Sequence, residues 1–316
     1  MSNIPSVNLS HFLSKDETLK RNVVKKIGKA YEEIGFVSLK GHFLSQNSTD
    51  NLYTQIKKFF DLPQKTKNKY EFEGFKGQRG YTSFGKEHAK GKKEGDLKEF
   101  WHFGQYLEKD SKDFNYPKNI IIDEFSEFNK AGHDTYKALE KTGIYVLRAI
   151  ALFLNLDEYH FDKYVINGNS ILRPIHYPPI KEEPKKAVRA AAHGDINLIT
   201  LLMGAHGKGL QVKNNQDEWI DAIASKDEIV INVGDMLSRY TNNKLKSTIH
   251  RVVNPPKEYW NKSRYSIPFF LHPVGSMNLN VLENCIDQKN PKKYKDITAQ
   301  DFLINRLIDI GVMKKE

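Results

Sequence analysis

Two histidines and one aspartate set the chemistry available to this chain. His193-Gly194-Asp195 places an imidazole and a carboxylate two residues apart, and His250 follows 55 residues after Asp195. In an extended segment residues i and i+2 point the same way, so His193 and Asp195 can reach one ion. Gly194 adds no bulk between them. His250 lies in Ser247-Thr248-Ile249-His250-Arg251-Val252-Val253, where alternation puts it on a face with Thr248 and Val252. A polar imidazole on an inward strand face needs a partner, and a metal is one. Two imidazoles and one carboxylate are the facial triad of non-haem Fe(II) sites, which leaves the remaining positions open for substrate and O2. Zinc is compatible with the same three ligands. Further along, Arg264-Tyr265-Ser266 reads as strand, with Arg264 and Ser266 on one side together with Pro268 and Phe270. A guanidinium fork beside a hydroxyl clamps a small carboxylate.

Strands and turns must hold these residues. From about Ser170 short β-type runs alternate with Gly, Asn, Asp and Pro: Ile171–Tyr177, Asn197–Met203, Gly209–Lys213, Glu228–Val233, Ser247–Val253 and Arg264–Leu271. That spacing predicts an antiparallel sandwich or barrel. The first half reads as helical. Leu19, Val23, Ile27, Ala30/Tyr31 and Ile34 recur at helical steps before Gly35, a stop signal. Gly35–Leu39 reads as a short strand, and a second helix starts near Thr49 and ends before Pro63. Residues 74–95 hold six glycines and read as a functional or mobile loop with irregular strands. A long helix over 126–154 is apolar nearly all round in its second half, which suits burial against a sheet. Thr298 with Asp301 resembles a capping box opening a C-terminal helix. The expectation is one integrated domain over 1–316, α+β with a mainly β core. Its parts are a helical N-terminal region (1–160), a catalytic core (168–275) and a helical tail (276–316).

Composition narrows the partners. The hydrophobic share of 39% over 316 residues is ample for a core. No run of 18 apolar residues suggests a membrane span, and the N-terminus shows no secretory pattern. One cysteine, Cys285, excludes an internal disulfide and fits a cytoplasmic protein. The net charge of +10 suits an anionic partner or a Lys-rich solvated surface. The basic residues are dispersed, with local runs at Lys90-Gly91-Lys92-Lys93 and Lys292-Lys293. No nucleic-acid motif accompanies them, so neither a nucleic-acid nor a membrane partner is expected.

His-x-Asp, a distal His and Arg-x-Ser, in that order on successive strands, resemble the iron/2-oxoglutarate-dependent dioxygenases of the isopenicillin-N-synthase-like superfamily. Further matches are Ile4–Ser10, Glu33–Val37, Phe59–Pro63, Arg79-Gly80-Tyr81, Asp96–Glu99, Tyr177-Pro178, Asn254-Pro255-Pro256 and Tyr265–Phe270. The resemblance implies a double-stranded β-helix, or jelly-roll barrel, buttressed by N-terminal and C-terminal helices. It implies that His193, Asp195 and His250 hold iron. Arg264 and Ser266 would bind the distal carboxylate of 2-oxoglutarate, with help from the Tyr177 hydroxyl. Phe270 would face the substrate, and Arg173 and Tyr81 are further substrate candidates. Fe(II), 2-oxoglutarate and O2 follow as cofactor and co-substrates, with ascorbate a candidate reductant. The implied reaction couples decarboxylation of 2-oxoglutarate to hydroxylation, desaturation or cyclisation at a C–H bond of a small molecule; a carboxylate-bearing substrate suits the charge. One departure is the stretch from His250 to Arg264, longer than is usual in the family, which an enlarged turn at Pro255–Lys262 explains. Two other readings stay open here: an Fe(II) oxidase of the same fold that uses no 2-oxoglutarate, and a non-catalytic anion-binding or nucleic-acid-binding barrel. The sequence leaves the primary substrate and the oligomeric state open.

Overall fold

The computed structural model describes residues 4–72, 78–87, 96–107, 116–183, 188–203, 209–225 and 227–309. The chain runs β1 (Ser6–Asn8), α1 (Leu9–Phe12), α2 (Glu17–Glu33), β2 (Phe36–Lys40), α3 (Gln46–Phe60), α4 (Gln64–Lys67), β3 (Gly80–Thr82), β4 (Glu99–His102) and α5 (Ser126–Phe153). It continues with α6 (Asp162–Val165), β5 (Ile171–Leu172), β6 (Ile175–Tyr177), β7 (Ala190–His193), β8 (Ile199–Met203), β9 (Leu210–Lys213) and β10 (Trp219–Asp221). The last elements are β11 (Ile229–Val233), α7 (Asp235–Tyr240), β12 (His250–Val252), β13 (Arg264–Leu271) and α8 (Ala299–Asp309). The expected helices and six expected strand regions are present. Helix α2 starts where Asp16 accepts from the backbone N–H groups of Thr18 and Leu19, and Gly35 at φ +74° ends it. Helix α8 opens on the expected Thr298–Asp301 pair, with the Asp301 N–H donating to Thr298 Oγ1 at 3.1 Å.

Among the described residues, nine strands form the main sheet, in the order β1-β2-β11-β8-β13-β6-β4-β3 with β5 beside β13, and four form a second sheet, β10-β9-β12-β7. The side chains of the main sheet divide between two cores. One face, with Val37, Leu39, Leu201, Ile231, Ile267 and Phe269, joins α2, α3 and α5 in the large hydrophobic core. Gly143 lets α5 sit close to this face, since a Cβ there would stand 2.8 Å from Leu271 Cδ2. The opposite face sends Phe36 and Val230 against Ala190, Leu210, Val212 and Val252 of the second sheet. The protein is thus a mixed α/β fold with a sheet-rich core, helices on one side and the candidate site on the other.

Three readings change in detail. The expected strand Ile171–Tyr177 is two strands, β5 and β6, split at Arg173-Pro174. Along β13, residues 264–266 pair with β6 and residues 269–270 with β5. Pro268 falls in that gap opposite Arg173, whose N–H donates to the Pro268 carbonyl at 2.9 Å, so the N–H that Pro268 lacks breaks no ladder bond on that edge. The N-terminal region is less purely helical than its periodicity suggests, because it supplies β1 to β4 of the main sheet. The glycine-rich loop contains one of them, β3; residues 73–77 and 88–95, with Lys90-Gly91-Lys92-Lys93, lie outside the described residues.

Candidate active site

A single row of cross-strand neighbours forms the floor of the site. Phe36, Asn232, Thr200 and Phe270 are successive Cα partners across β2, β11, β8 and β13. Paired residues project from the same side of a sheet, so these four share the face turned toward the second sheet. Asp195 lies between β7 and β8. Its Oδ2 accepts from Thr200 Oγ1 at 2.6 Å and from Asn232 Nδ2 at 2.8 Å. Both bonds orient the carboxylate and leave Oδ1 open.

His193 ends β7 and pairs with His250, which begins β12. Their ring centroids are 4.5 Å apart, and the Phe36 ring meets His250 edge-on at 5.7 Å. Each imidazole donates from Nδ1 to a carbonyl two residues earlier, Ala191 at 2.7 Å and Thr248 at 3.2 Å. That tautomer leaves Nε2 as the lone-pair nitrogen. The two Nε2 atoms face Asp195 Oδ1 at 3.9 and 3.8 Å. The His193 side chain is 46% accessible; desolvation by the surrounding protein, then the His250 ring, push its pKa down to about 4. It is therefore neutral, as a ligand must be. Burial would raise the Asp195 carboxyl, but the adjacent imidazoles and the bonds from Asn232 and Thr200 hold it below the usual range. Two imidazole nitrogens and one carboxylate oxygen, braced from behind, fit a divalent transition metal.

The space beside Gly194 is filled by Asp235 at the start of α7. A Cβ on Gly194 would stand 3.2 Å from Asp235 Oδ1 and 3.3 Å from Ser247 Oγ. Asp235 donates its N–H to the Asp195 carbonyl at 2.7 Å and accepts from Ser247 Oγ at 2.6 Å. Its other oxygen pairs with Arg306 of α8 at 3.1 Å. Asp235, through its N–H and its carboxylate, therefore links both His- and Asp-bearing segments to the C-terminal helix.

Arg264 and Tyr177 are Cα partners on β13 and β6, and Ser266 pairs with Ile175. The Arg264 guanidinium lies over the Tyr177 ring, 5.3 Å from its centroid. Its Nη1 is buried and has no hydrogen-bond partner. Ser266, two residues on, is buried. A buried guanidinium nitrogen without an acceptor fits a site for an anion's oxygens. Arg173 lies over the rings of Phe100 at 4.5 Å and Phe270 at 5.2 Å. Its Nε donates to His102 Nε2 at 2.5 Å, and its Nη1 pairs with Glu87 at 3.4 Å. Lys98 Nζ also pairs with Glu87, at 2.7 Å.

Tyr81 is the one substrate candidate placed elsewhere. It pairs with Trp101 and packs on Phe59. Its hydroxyl donates to Glu99, which also holds Lys67 at 2.7 Å. Phe100, between Glu99 and Trp101 on β4, projects the other way, into a cluster with Ile175 and Tyr177. Tyr81 thus belongs to the helix-covered face, buried in the large core. Sequence reading missed Thr200, Asn232 and Asp235. For Asn232 a signal existed: one amide within the apolar run Ile229–Val233.

Comparison with known proteins agrees with this geometry. Residues 4–124 match the family described as non-haem dioxygenase in morphine synthesis N-terminal, and residues 168–273 match the 2OG-Fe(II) oxygenase superfamily. The chain is 31% identical to the 2-oxoglutarate-dependent dioxygenase citB of Monascus ruber, over 96% of this chain and 94% of that one. It is 42% identical to a crystal structure of a 2OG-Fe(II) oxygenase family protein from Caulobacter crescentus, with a TM-score of 0.89 and coverage of 98% and 100%. It is 32% identical to a full-length Neurospora crassa protein solved in complex with alpha-KG, with a TM-score of 0.84 and coverage of 96% and 95%. The His-Asp-His cluster on a sheet-rich core defines a non-haem metal enzyme. The chain belongs to the 2OG-Fe(II) oxygenase superfamily, and is a dioxygenase that depends on Fe(II), 2-oxoglutarate and O2.

Proposed function

We propose that His193, Asp195 and His250 are the iron ligands, and that Arg264, Ser266 and Tyr177 hold the distal carboxylate of 2-oxoglutarate. The observation that carries this reading is the two-sided arrangement of Asp195: Oδ2 is tied off by Thr200 and Asn232, while Oδ1 faces both Nε2 atoms. When bound, Fe(II) with 2-oxoglutarate and O2 supplies the oxidising power for attack on a C–H bond, with succinate and CO2 as by-products. The residues of the chain supply geometry. The Nδ1 hydrogen bonds fix the imidazoles, Thr200 and Asn232 fix the carboxylate, and the Arg264 guanidinium orients the co-substrate. The two sheets, with a small apolar core between them, support a jelly-roll barrel, with 168–275 as the catalytic core of one domain over 1–316. The site residues are tested by anaerobic binding of Fe(II) and 2-oxoglutarate to His193→Ala, Asp195→Ala and Arg264→Ala variants. Each loses the ligand it is assigned to; full retention contradicts the assignment.

For the primary substrate we favour a small planar molecule with polar edges. Phe270 is the direct neighbour of Thr200 on the floor of the site, and Arg173 stacks over it. The Neurospora crassa relative has been solved with thymine and with 5-formyluracil. Succinate release above the uncoupled background, measured with pyrimidine bases and with organic acids, tests this choice. Stimulation by the acids alone contradicts it. Among the described residues no helix is long and apolar enough to cross a membrane; the lone Cys285, free and buried, supports a cytosolic setting.

A further inference from the structure

Tyr177 carries two guanidiniums, not one. Besides Arg264 at 5.3 Å, Arg189 lies over the same ring with Cζ 5.5 Å from its centroid. Arg189 directly precedes β7, whose last residue is His193. Its N–H donates to Asn254 Oδ1 at 3.0 Å, which ties it to the segment following β12. The side chain is buried, with 5% exposure, and its Nε has no hydrogen-bond partner. Neither Arg189 nor Arg264 makes a salt bridge with a carboxylate among the described residues. Burial, and then the nearby Arg264, push the Arg189 guanidinium down to about 10, so it stays charged at neutral pH. Two like charges without a counterion, Arg189 buried and Arg264 half-buried with a buried Nη1, are costly to fold around. An anion bound between them removes both the repulsion and the unmet donors.

We propose that Arg189 is the second arm of the co-substrate clamp, binding the distal carboxylate of 2-oxoglutarate together with Arg264. This rests on the reading of Arg264, Ser266 and Tyr177 as the carboxylate site. A doubly cationic clamp discriminates against 2-oxo acids that lack the distal carboxylate. It also makes co-substrate binding depend on the β7 segment that carries an iron ligand.

The test is calorimetric binding to the full-length, Fe(II)-loaded protein without O2. The probes are 2-oxoglutarate and 2-oxopentanoate, which has the same chain length and no distal carboxylate. Arg189→Ala is expected to weaken 2-oxoglutarate binding about ten- to a hundredfold, the range for a charge-assisted bond lost in a buried site, and to leave 2-oxopentanoate binding unchanged. Arg189→Lys is expected to recover part of the loss and guards against a failure of Arg189→Ala to fold. Equal weakening of both probes, or of neither, overturns the role of Arg189. If Arg264→Ala weakens 2-oxoglutarate binding while Arg189→Ala does not, only the second arm falls. If Arg264→Ala has no effect, the carboxylate site itself falls.

Discussion

Thr200 and Asn232 face each other across β8 and β11, and both donate to the same oxygen, Oδ2 of Asp195, at 2.6 and 2.8 Å. Neither touches the metal position, yet together they decide which carboxylate oxygen is presented to it. Thr200→Val and Asn232→Ala are each expected to weaken metal binding about ten- to a hundredfold, the usual cost of losing a partner that orients a ligand. A metal titration in the absence of O2 reads this directly, and an unchanged affinity in both variants contradicts the bracing role.

Asp235 links Arg306 on α8 to the Asp195 backbone. Burial pushes its carboxyl up, and Ser247 and Arg306 oppose that. The pair is partly exposed, so Arg306→Ala is expected to cost only about 1 kcal/mol of stability. Metal affinity should fall with it, because the brace at Gly194 loosens. Thermal melting together with metal titration checks both; a lower Tm with unaltered metal affinity shows that the link stops at α8.

His272 follows β13 on the face of Phe270, and burial pushes its imidazole down to about 4. The native protein therefore binds this proton less tightly than the unfolded chain, where an imidazole titrates near 6.5. The penalty is absent well above pH 6.5, grows as pH falls through that value, and levels off below about 4. Melting curves of the metal-free protein between pH 7 and pH 4 should fall more steeply for wild type than for His272→Asn. Parallel curves contradict the assignment.

Tyr81, buried with its hydroxyl on Glu99, is expected to matter for stability and not for substrate. Tyr81→Phe should cost about 2 kcal/mol, the net value of a buried hydrogen bond to a charged group, with KM unchanged. A raised KM for the primary substrate at unaltered stability restores it to the pocket.

The sequence made some of this legible for plain physical reasons. His193 and Asp195 stand two apart in extended chain, and Arg264, Ser266 and Phe270 keep the period of a strand that is continuous from Arg264 to Leu271. Helix α2 carried its own stop in Gly35. What stayed hidden depends on pairing between distant segments. Thr200 and Asn232 meet only because β8 and β11 are neighbours in one register. Tyr81 turned to the helical face because it pairs with Trp101, which no local pattern announces. Arg189 read as one more cation in a basic chain until the fold set it over the Tyr177 ring.

The most direct test of the central claim is Fe(II) binding in the absence of O2, followed by addition of 2-oxoglutarate and measurement of the metal-to-ligand charge-transfer absorption. Wild type is expected to bind one Fe(II) and to develop the band on adding 2-oxoglutarate, while Asp195→Ala and His250→Ala lose metal affinity and the band. An Asp195→Ala variant with full Fe(II) affinity and an intact band would show that the metal sits elsewhere.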